Sequence, residues 1–403
     1  MNQLWANRAA SAEAAITQRH LRRLWGLPGT QLGVVAWPAA GPHKQFRTWH
    51  YWWQAHLLDC LVDAQVRDPG PERRARIVRQ IRAHRLRNIG RWTNDYYDDM
   101  AWLALALERA GRLAGVAKPR ALETLSEQFV NSWVPEDGGG IPWRKQDQFF
   151  NAPANGPAGI FLARHVTARG DRLRRAQQMA DWIDEVLIDP ETHLVFDGIK
   201  GGSLVRAQYT YCQGVVLGLE TELAARIGDD GGGGEHALRV HRLVGAVAEH
   251  MAPEGTIKGT GGGDGGLFNG ILARYLALVA TTLPGDTAED VAARDTARRI
   301  VLTSAEAAWA NRQTVGSEGA GLPLFGASWE RTAELPTTVG RQAESVEGAV
   351  NASEIPERDL SVQLSGWMLM EAAHTVSGQP SGAEPVDSET DTETDTETGP
   401  TET

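Results

Sequence analysis

Three carboxylates fall within five residues in the stretch Thr93-Asn94-Asp95-Tyr96-Tyr97-Asp98-Asp99-Met100-Ala101-Trp102. The adjacent pair, Asp98 and Asp99, can be read in two ways. From Trp102 to Ala110 the pattern is helical and rich in Ala and Leu. Free N–H groups at a helix start favour acids, so Asp98 would cap the helix and Asp99 would lie in its first turn. The second reading is chemical. Two neighbouring carboxyl groups are what acid-assisted cleavage of a glycosidic bond uses, and the aromatic neighbours offer flat faces for sugar rings. The stretch alone leaves both readings open, and Asp95 reads as a structural or hydrogen-bonding acid.

Five other segments hold ligand-like side chains. Phe46-Arg47-Thr48-Trp49-His50-Tyr51-Trp52-Trp53 is dense in aromatics; some of its rings suit a core, and Trp49 and Trp52 are candidates to line a site. Gly138-Gly139-Gly140-Ile141-Pro142-Trp143 lets the backbone come close to a partner, but lacks the Gly-Lys-Ser/Thr ending of a phosphate loop. Asn151-Ala152-Pro153-Ala154-Asn155 offers two amides just before a helix, and capping explains one of them. Gln208-Tyr209-Thr210-Tyr211-Cys212-Gln213-Gly214 supplies neutral hydrogen-bonding groups, and Gly263-Asp264-Gly265-Gly266-Leu267-Phe268 supplies an acid and a ring. For the latter, a flexible loop with an Asp N-cap is the plain alternative. The candidate ligand contacts are therefore Trp49, Trp52, Tyr96, Tyr97, Trp143, Asn151, Asn155, Tyr209, Tyr211, Gln213, Asp264 and Phe268.

Composition narrows the class of ligand. The 14 Trp outnumber the 8 Phe and 6 Tyr, and several stand beside these polar clusters. Net charge is −11, but residues 384–403 hold eight acids and no Lys or Arg, so the body carries about −3. There is no basic surplus to argue for nucleic acid. Cys60 and Cys212 give neither a disulfide framework nor metal spacing, and no Gly-x-Ser-x-Gly elbow appears. No metal or cofactor is expected. Carboxylates, amides and aromatic faces suit a neutral, hydroxyl-rich ligand.

The elements that must position these groups are helices. Apolar periodicity predicts them at about 8–25, 50–66, 71–88, 97–114, 118–132, 156–169, 171–188, 208–227, 234–251, 265–282, 287–310 and 357–376, with short strand pieces at about 32–36 and 194–196. Helices charged on one face alternate with charge-poor ones, and each of the latter opens on one of the clusters above. Six exposed and six buried helices in alternation predict an all-α (α/α)6 barrel, a toroid whose inner helices all start at one end. Their entrances then converge on a single cleft. The barrel is expected over 1–376, with 311–356 as a long rim loop, and 377–403 as a disordered acidic tail rich in Thr, Glu and Asp. No leader or membrane-inserting segment is read, so the chain as written is expected in the cytoplasm as a monomer; an upstream start would allow an extracellular place.

In this order and spacing, Tyr96-Tyr97-Asp98-Asp99-Met100-Ala101-Trp102, Gly138 to Trp143, Asn151 to Pro157, Tyr209 to Gly214 and Gly263 to Phe268 resemble glycoside hydrolase family 76, the endo-α-1,6-mannanases. The resemblance runs from about Trp49 to Ala280 and, more loosely, through the last helix. It implies an (α/α)6 barrel, an α-mannan or manno-oligosaccharide substrate, and retention of anomeric configuration through a covalent glycosyl-enzyme. Carried over, Asp98 is the nucleophile and Asp99 the general acid/base. A transglycosylase or hydrolase of another α-linked glycan on the same site is the alternative, as is a non-catalytic glycan-binding module.

Overall fold

The computed structural model describes residues 2–135, 139–165, 170–228, 232–259, 261–316, 321–337 and 340–378. Six helices are buried along most of their length: α3 (Tyr51–Arg67), α5 (Tyr97–Ala114), α7 (Ala152–Arg164), α9 (Thr210–Ile227), α11 (Gly265–Thr282) and α13 (Leu360–Ser377). Each packs on the next, and α13 returns to α3, so they close a ring. Six more surround it: α1 (Asn2–Arg19), α4 (Pro71–Arg87), α6 (Pro119–Asn131), α8 (Asp171–Val186), α10 (Gly233–Ala246) and α12 (Ala288–Ala310). Gly41–Lys44 forms a single turn, α2, on the way into α3. This is the (α/α)6 barrel that the alternation predicts. Where charge recurs on one face, as in α4, only Ile77, Gln80, Ile81, Ala83 and His84 turn inward. Where it is absent, as in α7, the helix is enclosed.

Two helix positions differ from expectation. The first helix covers Asn2–Arg19, not about 8–25: Leu21 and Arg22 pair with Leu32 and Gly33 in a short ladder, drawing the Leu21–Trp25 segment out of the helix. Helix α7 begins at Ala152, upstream of its expected start. Pro153 lies in the first turn, where no intrahelical N–H is needed, and Asn151 caps Ala154 N–H at 3.1 Å.

The strands are short and lie at the cleft end or behind it. Phe149–Asn151, Gly198–Lys200 and Ser203–Val205 form an antiparallel sheet. Part of 311–356 is core: Phe325 and Trp329 are each 2% exposed, and Phe325 lies against Gly366 of α13. The rest reaches the rim, where Ser345–Val346 pairs with Ala349–Val350. The acidic stretch expected to be disordered lies, from 379 onward, outside the described residues. Among the described residues, no helix is long and apolar enough to cross a membrane.

Candidate functional site

Because the inner helices run the same way, their N-termini meet at one end, around a cleft of about 360 Å³. Five of the six entrances line it: Trp52 from α3, Asp98 and Asp99 from α5, Asn151 ahead of α7, Tyr209 and Tyr211 at α9, and Asp264 and Phe268 at α11. Tyr96 and Trp143 complete the set that the sequence points to.

Local backbone bonding explains how the two aspartates are aimed. Asn94 Oδ1 accepts the Tyr96 N–H at 3.0 Å and fixes the entry to α5. Segment 95–97 then zips to 143–145 through Tyr97 N–H to the Trp143 carbonyl and Lys145 N–H to the Asp95 carbonyl, both 2.8 Å. Tyr96 is the N-cap, so Asp98 and Asp99 occupy the first helical turn rather than the cap. Asp98 Oδ1 accepts the Asp99 N–H at 2.8 Å, and its Oδ2 accepts Trp143 Nε1–H at 2.9 Å. Asp99 Oδ2 accepts Asn94 Nδ2–H at 2.5 Å.

Electrostatics separates the pair. Burial pushes the Asp98 carboxyl up to about 7, opposed by its N–H donors. Burial and then the Asp98 charge push Asp99 well above the usual carboxylate range. Two other cleft acids are also raised by burial to about 6: Asp264 and Asp197. Asp264 Oδ1 accepts Trp52 Nε1–H at 3.0 Å and Trp53 Nε1–H at 2.9 Å, and its Oδ2 accepts the Val350 N–H at 2.7 Å. It thus ties the rim hairpin to the aromatic wall. Aromatic pairs complete that wall: Tyr211 stacks on Phe268 at 3.9 Å and 6°, and Tyr96 meets Trp143 edge-on at 5.1 Å.

A sequence profile described as glycosyl hydrolase family 76 matches residues 8–365. The chain belongs to this family. The match extends the resemblance seen in the motifs across nearly all the described residues, 311–356 included. The GH76A α-1,6-mannanase of Salegentibacter sp. HEL1_6 is 28% identical over 92% of this chain and 98% of its own, with a TM-score of 0.73. An inactive variant of that enzyme, in which two consecutive aspartates are replaced, has been solved in complex with α-1,6-mannotriose; it is 27% identical over 92% and 99% of the chains, with a TM-score of 0.74. The Lin0763 protein of Listeria innocua shares the fold, with a TM-score of 0.74 over 94% and 99% of the chains at 24% identity. No curated protein matches the chain.

Four of the expected ligand contacts lie outside the lining of this family 76 cleft. Asn155 is fully buried, taking Ile141 N–H at 2.8 Å and giving to the Ile141 carbonyl at 2.9 Å. Gln213 treats Val195 the same way, at 2.7 and 2.9 Å. Both amides hold loops: Ile141 leads to Trp143, and Val195 to Asp197. Trp49 packs edge-on against Tyr51 and His84, with the Arg87 guanidinium over its ring. Tyr97 is 8% exposed within the core.

The cleft also takes residues that the sequence reading did not name as contacts. His50, Tyr51, Trp102 and Phe149 stand beside recognised ones. Asp197 had no local signal beyond an Asp-Gly after a short apolar run. Ser345, Gly348, Ala349 and Val350 come from the rim hairpin, distant in sequence from every motif.

Proposed function

We propose that the chain is an endo-acting, retaining α-1,6-mannanase with Asp98 as nucleophile and Asp99 as general acid/base. The observation that carries this reading is the unequal environment of two adjacent buried carboxyls in a cleft walled by aromatics. Asp98, with two N–H donors on its oxygens, ionises first; Asp99, facing that charge, keeps its proton. In the first step Asp98 attacks C1 of the bound mannosyl unit as the C1–O bond breaks, and Asp99 gives its proton to the departing glycosidic oxygen. In the second, Asp99 takes a proton from water, which attacks C1 and releases Asp98. Two inversions give net retention.

The remaining lining residues supply binding. Trp52, Tyr96, Trp143, Tyr209, Tyr211 and Phe268 offer ring faces or edges to C–H surfaces, while Asn151 offers a polar group to hydroxyls. Asp264 spends its oxygens on Trp52, Trp53 and Val350, so its part is to shape the wall. Asp197 is freer: among the described residues its side-chain partner is the Cys212 thiol, at 3.8 Å. An acid of this kind accepts hydrogen bonds from sugar hydroxyls. The consecutive aspartates replaced in the inactive Salegentibacter variant, bound to an α-1,6-linked mannose chain, support both the pair and the linkage.

Linear α-1,6-mannan is the test substrate. Wild type should release a ladder of oligosaccharides whose newly formed ends are α-anomers by NMR at early times. Asp98→Asn and Asp99→Asn should each lower the rate by about 10³-fold or more with the fold intact. On an aryl α-mannoside whose leaving group departs without a proton, azide should restore turnover of Asp99→Asn and yield the α-glycosyl azide. No release by wild type, or β-anomers at early times, rejects the proposal.

A further inference from the structure

The outer wall beside the α4–α5 connection has an unusual surface. Along α4 and its C-terminal turn, Val78, Arg82, Leu86 and Ile89 follow one another at helical spacing and are all exposed. Apolar and cationic side chains therefore share a single outward stripe. Ile89 is 87% exposed and holds a φ of 54°, a conformation that costs a β-branched residue without burying it. Trp25, 56% exposed at a φ of 50°, repeats the arrangement with Leu27 beside it. Their loop is seated on α4: Leu24 shares a small core cluster with Ala83, and Gln31 N–H reaches the Arg79 carbonyl at 3.3 Å.

Charge on this wall is uncompensated. Arg23, Arg47, Arg82, Arg85 and Arg91 are exposed, and among the described residues none of them forms an ion pair. Arg85 reaches the Gly90 carbonyl and the Trp92 ring. Nearer the start of the same helix the pattern reverses, with Arg73, Arg76 and Arg79 met by Glu13, Asp68 and Glu72. A concentration of unpaired guanidiniums on a chain of net charge −11 marks a place for an anionic partner.

We propose that this wall docks the protein peripherally on an anionic lipid surface. Guanidiniums bind headgroup phosphates, while Trp25, Leu27, Leu86 and Ile89 enter the interfacial layer. Separate apolar tips ringed by cations match a headgroup layer, where phosphate and hydrocarbon lie at different depths; an acidic protein or polysaccharide would leave the tips in water. Since the chain runs from Ile89 directly to Asp98, docking holds the cleft next to the surface, within reach of glycans displayed there.

Sedimentation of the full-length protein with vesicles tests this independently of turnover. It should pellet with phosphatidylcholine vesicles containing about one-third phosphatidylglycerol, not with phosphatidylcholine alone, and be released by ~0.5 M salt. The double variant Arg23→Glu/Arg82→Glu should bind at least about tenfold more weakly. Ile89→Gly/Trp25→Ser should lose binding comparably, and glycine suits the left-handed backbone at 89. Both variants should keep wild-type Tm and activity on soluble mannan. Failure to pellet with anionic vesicles, pelleting that survives charge reversal, or binding to soluble polyglutamate in place of vesicles would overturn the proposal.

Discussion

At the scale of single residues, the cleft keeps carboxylates in surroundings that disfavour their charge, and this has a consequence for stability as well as for chemistry. Asp98 is raised by burial to about 7, against an ordinary value near 4 in the unfolded chain. Its proton is thus bound more tightly in the folded state. The stability linked to it is fully present below about pH 4 and is lost as pH climbs through about 7. Asp98→Asn removes that loss. At pH 4 the amide and the protonated acid are alike, each with reduced capacity to accept from both Asp99 N–H and Trp143 Nε1–H, so the two proteins should melt together. At pH 8 the variant should melt several degrees higher, although the proposed mechanism makes it inactive. Thermal melts of both proteins across pH 4–8 check this; a Tm difference that does not grow with pH would show that burial does not penalise the Asp98 charge. Asp197, also raised, contributes equally to both proteins and cancels, whereas Asp99 and Asp264 lose the repulsion of the Asp98 charge in the variant, which acts in the same direction.

At the scale of elements, four of the six inner helices share a device that explains why some polar residues of the motifs never reach the cleft. The fourth residue of α3, α7, α9 and α13 is an amide: Gln54, Asn155, Gln213 and Gln363. Each grips both the N–H and the carbonyl of one residue in a neighbouring loop, respectively Gly33, Ile141, Val195 and Phe325. In α5 the corresponding residue is Met100, and the zip between 95–97 and 143–145 takes over. Gln213→Leu would leave the Val195 groups buried and unpaired, at about 1–3 kcal/mol each. Since Val195 precedes Asp197, the expected result is a lower Tm together with a raised KM for mannan. Because Asp98 and Asp99 stand on α5, kcat should largely persist; an unchanged KM would show that the clamp does not position Asp197. The amides also mark where sequence reading succeeds and where it stops. Helix alternation was legible because burial imprints itself on local composition, and the Asp98–Asp99 entrance because its neighbours are contiguous. A loop clamp and a cleft-lining amide use the same residue types, so Asn155 and Gln213 looked like Asn151. Asp197 and the hairpin at 345–350 left no local imprint, since they reach the cleft only through tertiary pairing. The first helix was displaced because Leu21, Leu24 and Trp25 keep helical spacing, while their partners at 32–33 lie farther along the chain.

At the scale of the whole molecule, parallel inner helices polarise the barrel. Their N-termini, each carrying unsatisfied N–H groups and a partial positive charge, face the cleft, where that field favours the anionic form of Asp98 against the cost of burial. Their C-terminal halves face the other end, where a cavity of about 140 Å³ is lined by three arginines and three acids among apolar and hydroxyl side chains. Arginines gather here, as a negative field requires. Arg109 and Arg274 each pair with both Asp59 and Asp63, and Arg164 pairs with Glu222 at 2.7 Å. Asp59 is held below the usual carboxylate range by these guanidiniums in spite of its burial, the opposite of what happens to Asp98 at the other end. The two ends thus treat acids in opposite ways, one disfavouring their charge and one pairing it to close the ring. If so, damage at the closed end should cost stability without touching chemistry. Arg274→Met takes one cation from the buried Asp59 and the half-buried Asp63, and losing one partner of such a network costs roughly 3–5 kcal/mol. The expected outcome is a Tm lower by about 5 °C or more, with kcat and KM on α-1,6-mannan unchanged at a temperature where the variant is still folded. A fall in kcat at that temperature would mean that the closed end communicates with the cleft along α11, which carries both Asp264 at its entrance and Arg274 within it.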